Sequence, residues 1–148
     1  MKLSIELVPK SLWRQGLYHT LPRKEWRRLR ERELEKAGHR CEVCGAQGRL
    51  YCHEVWEYDD RKGVRRLRGF EIVCSLCNFL HHFGLANTLA SQGRLDLKVI
   101  IQHYLEVNGV SRERFDQDRA EAHRVWLARS LIVWETDLGE YGQEEGKR

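Results

Sequence analysis

Hydrophobic and polar positions divide this chain into stretches of two different periods. Trp26, Leu29, Leu34 and Ala37 recur near helical spacing between Pro22 and Gly38. That pattern predicts a helix from Pro22 to about Ala37, begun by a proline whose fixed φ suits a first turn and stopped by a glycine. From Leu50 to Tyr58 and from Val64 to Val73 the chain is rich in Tyr, Val, Trp, Phe and Ile, and Asp59-Asp60-Arg61-Lys62-Gly63 lies between. Two strands joined by turn chemistry make a β-hairpin. A helix is expected from Asn78 to about Ala90. Two amphipathic helices follow Gly93, about Leu95 to Val107 and Arg112 to Trp134, parted by Asn108-Gly109 with Ser111 as N-cap. Their Leu97, Ile100, Ile101, Tyr104, Leu105, Phe115, Ala122, Val125, Trp126, Ile132 and Val133 are core candidates. Residues 142–148 read as a frayed end. The organisation is therefore an N-terminal segment and helix over 1–38, a central unit over 39–92 and a helical extension over 93–148.

The central unit carries the chemistry. Cys41/Cys44 and Cys74/Cys77 form two C-x-x-C pairs at either end of the hairpin. Each such turn presents two sulfurs about one tetrahedron edge apart, so two turns together fill the four positions that Zn2+ prefers. Gly45 lets the backbone turn back after Cys44. Disulfides are disfavoured because Met1 to Leu12 contains Lys2, Glu6, Pro9 and Lys10 and no apolar core long enough for export. No βαβ pattern surrounds either pair, which argues against a thioredoxin-like redox motif. Cys52, the fifth cysteine, reads as a buried small hydrophobe.

Length and charge add limits. At 148 residues the chain is most simply one domain, or a zinc module with a helical extension. No apolar run approaches membrane-spanning length, and with few cysteines outside the pairs a cytoplasmic protein is expected. The net charge of +4 is uneven: residues 1–82 hold 17 Lys and Arg against 11 Asp and Glu, whereas residues 83–148 hold 9 against 11. The surplus of cations sits beside the cysteines and histidines, where a polyanion would approach. On the first helix Arg23, Lys24, Arg27, Arg28, Arg30 and Arg32 alternate with Glu25, Glu31, Glu33 and Glu35, and i,i+4 pairing predicts a solvated face first and a phosphate-contacting face second. Arg65, Arg66 and Arg68 on the second strand are candidates to hold a phosphate backbone without reading sequence, with His81 beside them. Trp56 and Tyr58 are expected to cover the hairpin's packing face against the terminal helices.

The run Cys41-x-x-Cys44-Gly, then Tyr51-Cys52-His53-Glu54-Val55-Trp56-Glu57-Tyr58-Asp59, then Cys74-x-x-Cys77-Asn78-x-x-His81-His82-Phe83-Gly84 resembles the HNH endonucleases, in particular stand-alone bacterial members, over about residues 39–86. The resemblance implies an α+β protein with a ββα-metal core stapled by a four-cysteine structural zinc. It implies one catalytic divalent cation, a histidine general base at the first strand and nucleic acid, usually DNA, as substrate. Cys52 stands where the family has Asp or His, and Asn78 where His is commonest.

Phosphodiester hydrolysis needs an activated water and a cation that stabilises charge on the phosphate. His53 is the candidate general base. Asn78 and His82, four residues apart on one helix face, are candidate ligands for Mg2+ or another divalent cation. A second register makes His53 the ligand and gives Glu54 the acid-base role or a second ligand position. The expected function is a metal-dependent endonuclease. Its rival is an inactive HNH-like zinc module that binds nucleic acid or serves as a structural subunit; a protein partner or homodimer stays open.

Overall fold

A computed structural model describes residues 2–141, so the expected frayed end at 142–148 lies outside the described residues. Within them the protein is a mixed α+β structure. An extended N-terminal segment with a short 3-10 turn at Lys10–Leu12 leads into α1 (Leu17–Thr20) and α2 (Arg23–Lys36). The hairpin β1 (Leu50–Asp59) and β2 (Val64–Cys74) follows, then α3 (Ser75–His81), α4 (Phe83–Ser91), α5 (Leu97–Asn108), α6 (Arg112–Arg129) and β3 (Glu135–Asp137). Among the described residues no helix is long and apolar enough to cross a membrane.

The hairpin pairs as the sequence period requires. β1 and β2 are antiparallel, with His53 opposite Glu71 and Cys52 opposite Ile72. Val55 faces Gly69 but Trp56 faces Leu67, so Arg68 is the extra residue of a β-bulge. Alternation gives the sheet two different faces. One carries Glu54, Trp56, Leu67 and Phe70 and is covered by α1 and α2 through Leu17, Trp26 and Leu29. The other carries His53, Glu71 and Val73 and meets α3, from which the main core of Leu80, Phe83, Ile100, Tyr104 and Phe115 continues. Ser111 caps α6 through Arg114 N–H at 3.2 Å, and Gly109 closes α5 at φ +63°, a conformation that other L-residues rarely adopt.

Three expectations change. The helix after the second cysteine pair is broken at His82 (φ −128°, ψ 53°), so α3 and α4 are separate. The last helix ends at Arg129 rather than Trp134, and the chain then turns into β3, which pairs parallel to β2. Val133 is consequently 90% exposed and outside the core. Trp56 and Tyr58 do pack as expected, Trp56 in the cluster under α2 and Tyr58 edge-on to Trp134 at 5.1 Å.

Arg65 needs the clearest correction. Its position two residues from Leu67 puts it on the inward face, where it is 2% exposed. Its guanidinium lies 3.9 Å from the Trp56 ring centre and donates to Gln15 O at 2.9 Å and Thr136 Oγ1 at 3.0 Å. It ties the sheet to the N-terminal segment and to β3 and is not available to a phosphate. Arg66 and Arg68 point outward, but Arg66 is paired with Asp137 at 2.9 Å and Arg68 with Glu57 at 2.7 Å. Arg65→Ala should therefore cost about 2 kcal/mol or more in a denaturant melt, because it removes a buried side chain that packs on Trp56 and bonds two other segments. Arg66→Ala and Arg68→Ala, at exposed ion pairs, should each change stability by less than about 1 kcal/mol.

Candidate metal centres

The four paired cysteines converge. Cys41, Cys44, Cys74 and Cys77 offer sulfurs that all lie within 4.8 Å of one another, with Cys41 to Cys77 at 3.8 Å and Cys44 to Cys74 at 3.6 Å. Zn–S bonds of about 2.3 Å in a tetrahedron put sulfurs about 3.8 Å apart, so the donor set fits zinc. The turn holding the first pair is locked by Cys41 N–H to Ala46 O (2.9 Å) and Cys44 N–H to Cys41 Sγ (3.4 Å). The second pair sits where β2 passes into α3. Left to themselves, the thiols compete for protons. The hydrogen bond from Cys77 pulls Cys74 well down, to about 4, the same bond and burial push Cys77 up, and burial pushes Cys44 up to about 11. A cation held among them would displace the protons and neutralise the thiolates, which is how metal binding becomes folding free energy.

Sequence reasoning missed one neighbour of this centre. His103 of α5 places Nε2 3.2 Å from Cys77 Sγ. A ring N–H donated to a metal-bound thiolate orients the ligand and spreads its charge. The only sequence signal is position: His103 shares a helix face with Ile100 and lies one residue before the buried Tyr104.

A second cluster forms around His53, one face of the sheet away from Glu54. His53, nearly buried, sets Nε2 3.1 Å from Glu6 Oε2. His81, also buried, sets Nδ1 3.6 Å from Glu6 Oε1 and Nε2 3.1 Å from Glu71 Oε1. The Glu71 carboxylate fixes the proton on Nε2, leaving the Nδ1 lone pair for another partner. That Nδ1 is buried and has no hydrogen-bond partner among the described residues. Glu6, His53 and His81 each offer an atom within 4.8 Å of the others, which makes them a candidate cation site. The two imidazoles stack at 4.4 Å and 13°. Glu6 is 45% exposed, so the cluster opens to solvent on its side. Burial raises the Glu6 carboxyl, but the hydrogen bond with His53 and the charges of His81 and His53 outweigh it and hold it ionised below its ordinary range.

The chain delivers Glu6 through the helix break. With His82 out of helical conformation, Leu80 C=O and Phe83 N–H have lost their place in a continuous ladder. Glu6 N–H donates to Leu80 O at 2.9 Å, and Phe83 N–H donates to Glu6 O at 3.1 Å. Leu3, bonded in both directions to the Asn108 amide at 3.0 and 2.9 Å, anchors the same segment to α5.

The other expected site residues fall differently. His82 stands edge-on to His53 at 5.2 Å, and burial pushes its pKa down to about 4, so it is neutral at pH 7. It caps α3 at the α3–α4 junction, its N–H donating to Asn78 O at 2.9 Å, and its ring turns toward His53. Among the described residues no hydrogen bond engages the Asn78 side chain. Glu54 is on the opposite face, where its carboxylate accepts from Leu17 N–H at the start of α1 and from Trp56 Nε1 at 3.1 Å. A Cβ at Gly16 would meet Glu54 Oε2 at 2.6 Å, so that contact also fixes the glycine. Glu54 therefore holds α1 to the sheet and lies outside the His53 cluster. His81 is buried between two carboxylates, so it is not a surface contact for nucleic acid. Cys52 is half-buried, and burial pushes its thiol up to about 12, as suits a small hydrophobe rather than a thiolate ligand.

Comparison of the chain with protein-family models, curated proteins and solved structures returned no match. The reading of its site rests on its own residues.

Purified protein should carry one equivalent of zinc by metal analysis, and Cys41→Ser or Cys74→Ser should abolish it. The cost to folding should be large, since structural zinc contributes on the order of 10 kcal/mol in small modules. His103→Ala should keep the fold but lose zinc to a chelator at concentrations about 10 to 100-fold lower.

Proposed function

We propose that this protein is a divalent-cation-dependent endonuclease, with Glu6, His53 and His81 holding the cation beside a structural zinc. The observation that carries the reading is the buried His81 Nδ1, lacking a hydrogen-bond partner among the described residues while Glu71 holds the other ring nitrogen, and lying 3.6 Å from the Glu6 carboxylate. Two imidazoles and one carboxylate are a donor set that suits Zn2+, Mn2+, Fe2+ or Ni2+ better than Mg2+ and leaves further positions for water and substrate. A cation so held would lower the pKa of bound water and stabilise charge on a phosphate. The chain's own residues supply the rest. Glu71 keeps the His81 ring oriented, the Glu6 backbone keeps its carboxylate at the helix break, and the neutral His82 ring beside His53 offers the nearest further imidazole. His53 thus takes the ligand role of the two registers, and Glu54 takes neither.

The resemblance of the His53–Glu54–Val55–Trp56 and Cys77–His82 runs to HNH endonucleases, together with the cation surplus of residues 1–82, supports nucleic acid as substrate. Supercoiled plasmid should be cut with Mn2+ or Ni2+, and His53→Ala or Glu6→Gln should lower the rate about 10^2-fold or more with zinc content unchanged. Excess Mn2+ should partly rescue Glu6→Gln, because that change weakens cation occupancy. Intact plasmid and intact single-stranded DNA with every divalent cation tried would overturn the proposal.

A further inference from the structure

Five exposed cations on α2, Arg23, Lys24, Arg27, Arg28 and Arg32, form no ion pair among the described residues. Among the described residues the i,i+4 neutralisation expected from the sequence does not form, and the ion pair on α2 is the i,i+3 contact of Lys36 with Glu33 at 3.3 Å at the helix end. Four of the five crowd the first two turns, with Glu25 as the one acidic residue in the first turn. Cations at that end oppose the helix dipole and one another, so the arrangement is unfavourable to α2 until an anion covers it. A second, separate feature borders the patch. Tyr18 of α1 is 63% exposed and propped edge-on against Trp26 at 5.7 Å, which in turn meets Phe70 of β2 at 6.3 Å. His19, also exposed, stands edge-on to Tyr18 at 4.9 Å. An exposed aromatic ring held rigid beside unpaired arginines is the combination that binds a nucleic-acid strand, cations following the phosphates and the ring taking an unstacked base.

We propose that Tyr18 and the Arg23, Lys24, Arg27 and Arg28 face of α2 form a docking surface for a single-stranded segment of nucleic acid, separate from the Glu6–His53–His81 cluster on the other side of the sheet. The partner class rests on the nucleic-acid reading above, but the surface itself needs no catalysis. Binding of a labelled oligonucleotide, single-stranded or duplex, is measured by anisotropy at rising salt without added divalent cation. R23A/K24A/R27A/R28A should weaken single-strand binding at least about ten-fold at low salt and reduce the salt slope by about 3, from about 0.7 per phosphate contact. Tyr18→Ala should weaken single-strand binding about five-fold or more with the slope unchanged. The four alanines should leave zinc content intact and melting no lower than wild type, because alanine is the best helix former and the repulsion is gone. Wild-type affinity and slope in the quadruple variant would overturn the proposal, as would a Tyr18→Ala protein that binds single strands like wild type. A wild-type protein that binds through α2 yet cuts nothing refutes the nuclease reading and leaves this one standing.

Discussion

Four sulfurs within one coordination sphere set the relation between the parts of this molecule. The turn after α2 carries two of them and the β2–α3 junction the other two, so a single ion held there would fix where the hairpin ends, where α3 begins and how both meet the N-terminal half. Thiols at 3.6 to 3.8 Å cannot share that space as anions without a cation between them. The hydrophobic core around Leu80, Phe83, Tyr104 and Phe115 builds outward from that corner, and His103 links α5 to it directly.

The break at His82 is the second constraint, and it gathers the Glu6–His53–His81 cluster. A continuous helix would satisfy its own backbone and leave nothing for Glu6 to bond. Because α3 stops at His81, the N-terminal segment pairs with Leu80 and Phe83 and brings a carboxylate to the edges of two buried, stacked imidazoles. The cluster is thereby assembled from the N-terminal segment, β1, β2 and α3. Each contributor is held by backbone hydrogen bonds, so the donor atoms are positioned before any ligand arrives.

The local elements were legible in the chain. The hairpin followed from alternation around Asp59-Asp60-Arg61-Lys62-Gly63, and α2 from Pro22 and Gly38, because both signals are short-range. The cysteine centre was legible because C-x-x-C encodes its geometry within one turn. Glu6 was not, since nothing near it in sequence marks a carboxylate that meets His53 47 residues away. Asn78 and His82 were paired because they stand four residues apart on one helix; the break at His82, held by the tertiary pairing of Glu6, has no short-range signal. Arg65 carried a signal that was passed over: alternation puts it on the same face as Leu67, and a buried guanidinium over Trp56 follows from that. β3, at three residues, is too short to show a period.

The account turns on whether Glu6, His53 and His81 share a cation. Anomalous diffraction from crystals soaked in Mn2+, collected at energies that separate manganese from zinc, reads this directly. The account predicts a zinc peak among the four cysteine sulfurs and a manganese peak within bonding distance of Glu6, His53 and His81. A manganese peak elsewhere, or none beside these three while the cysteines hold zinc, would contradict it.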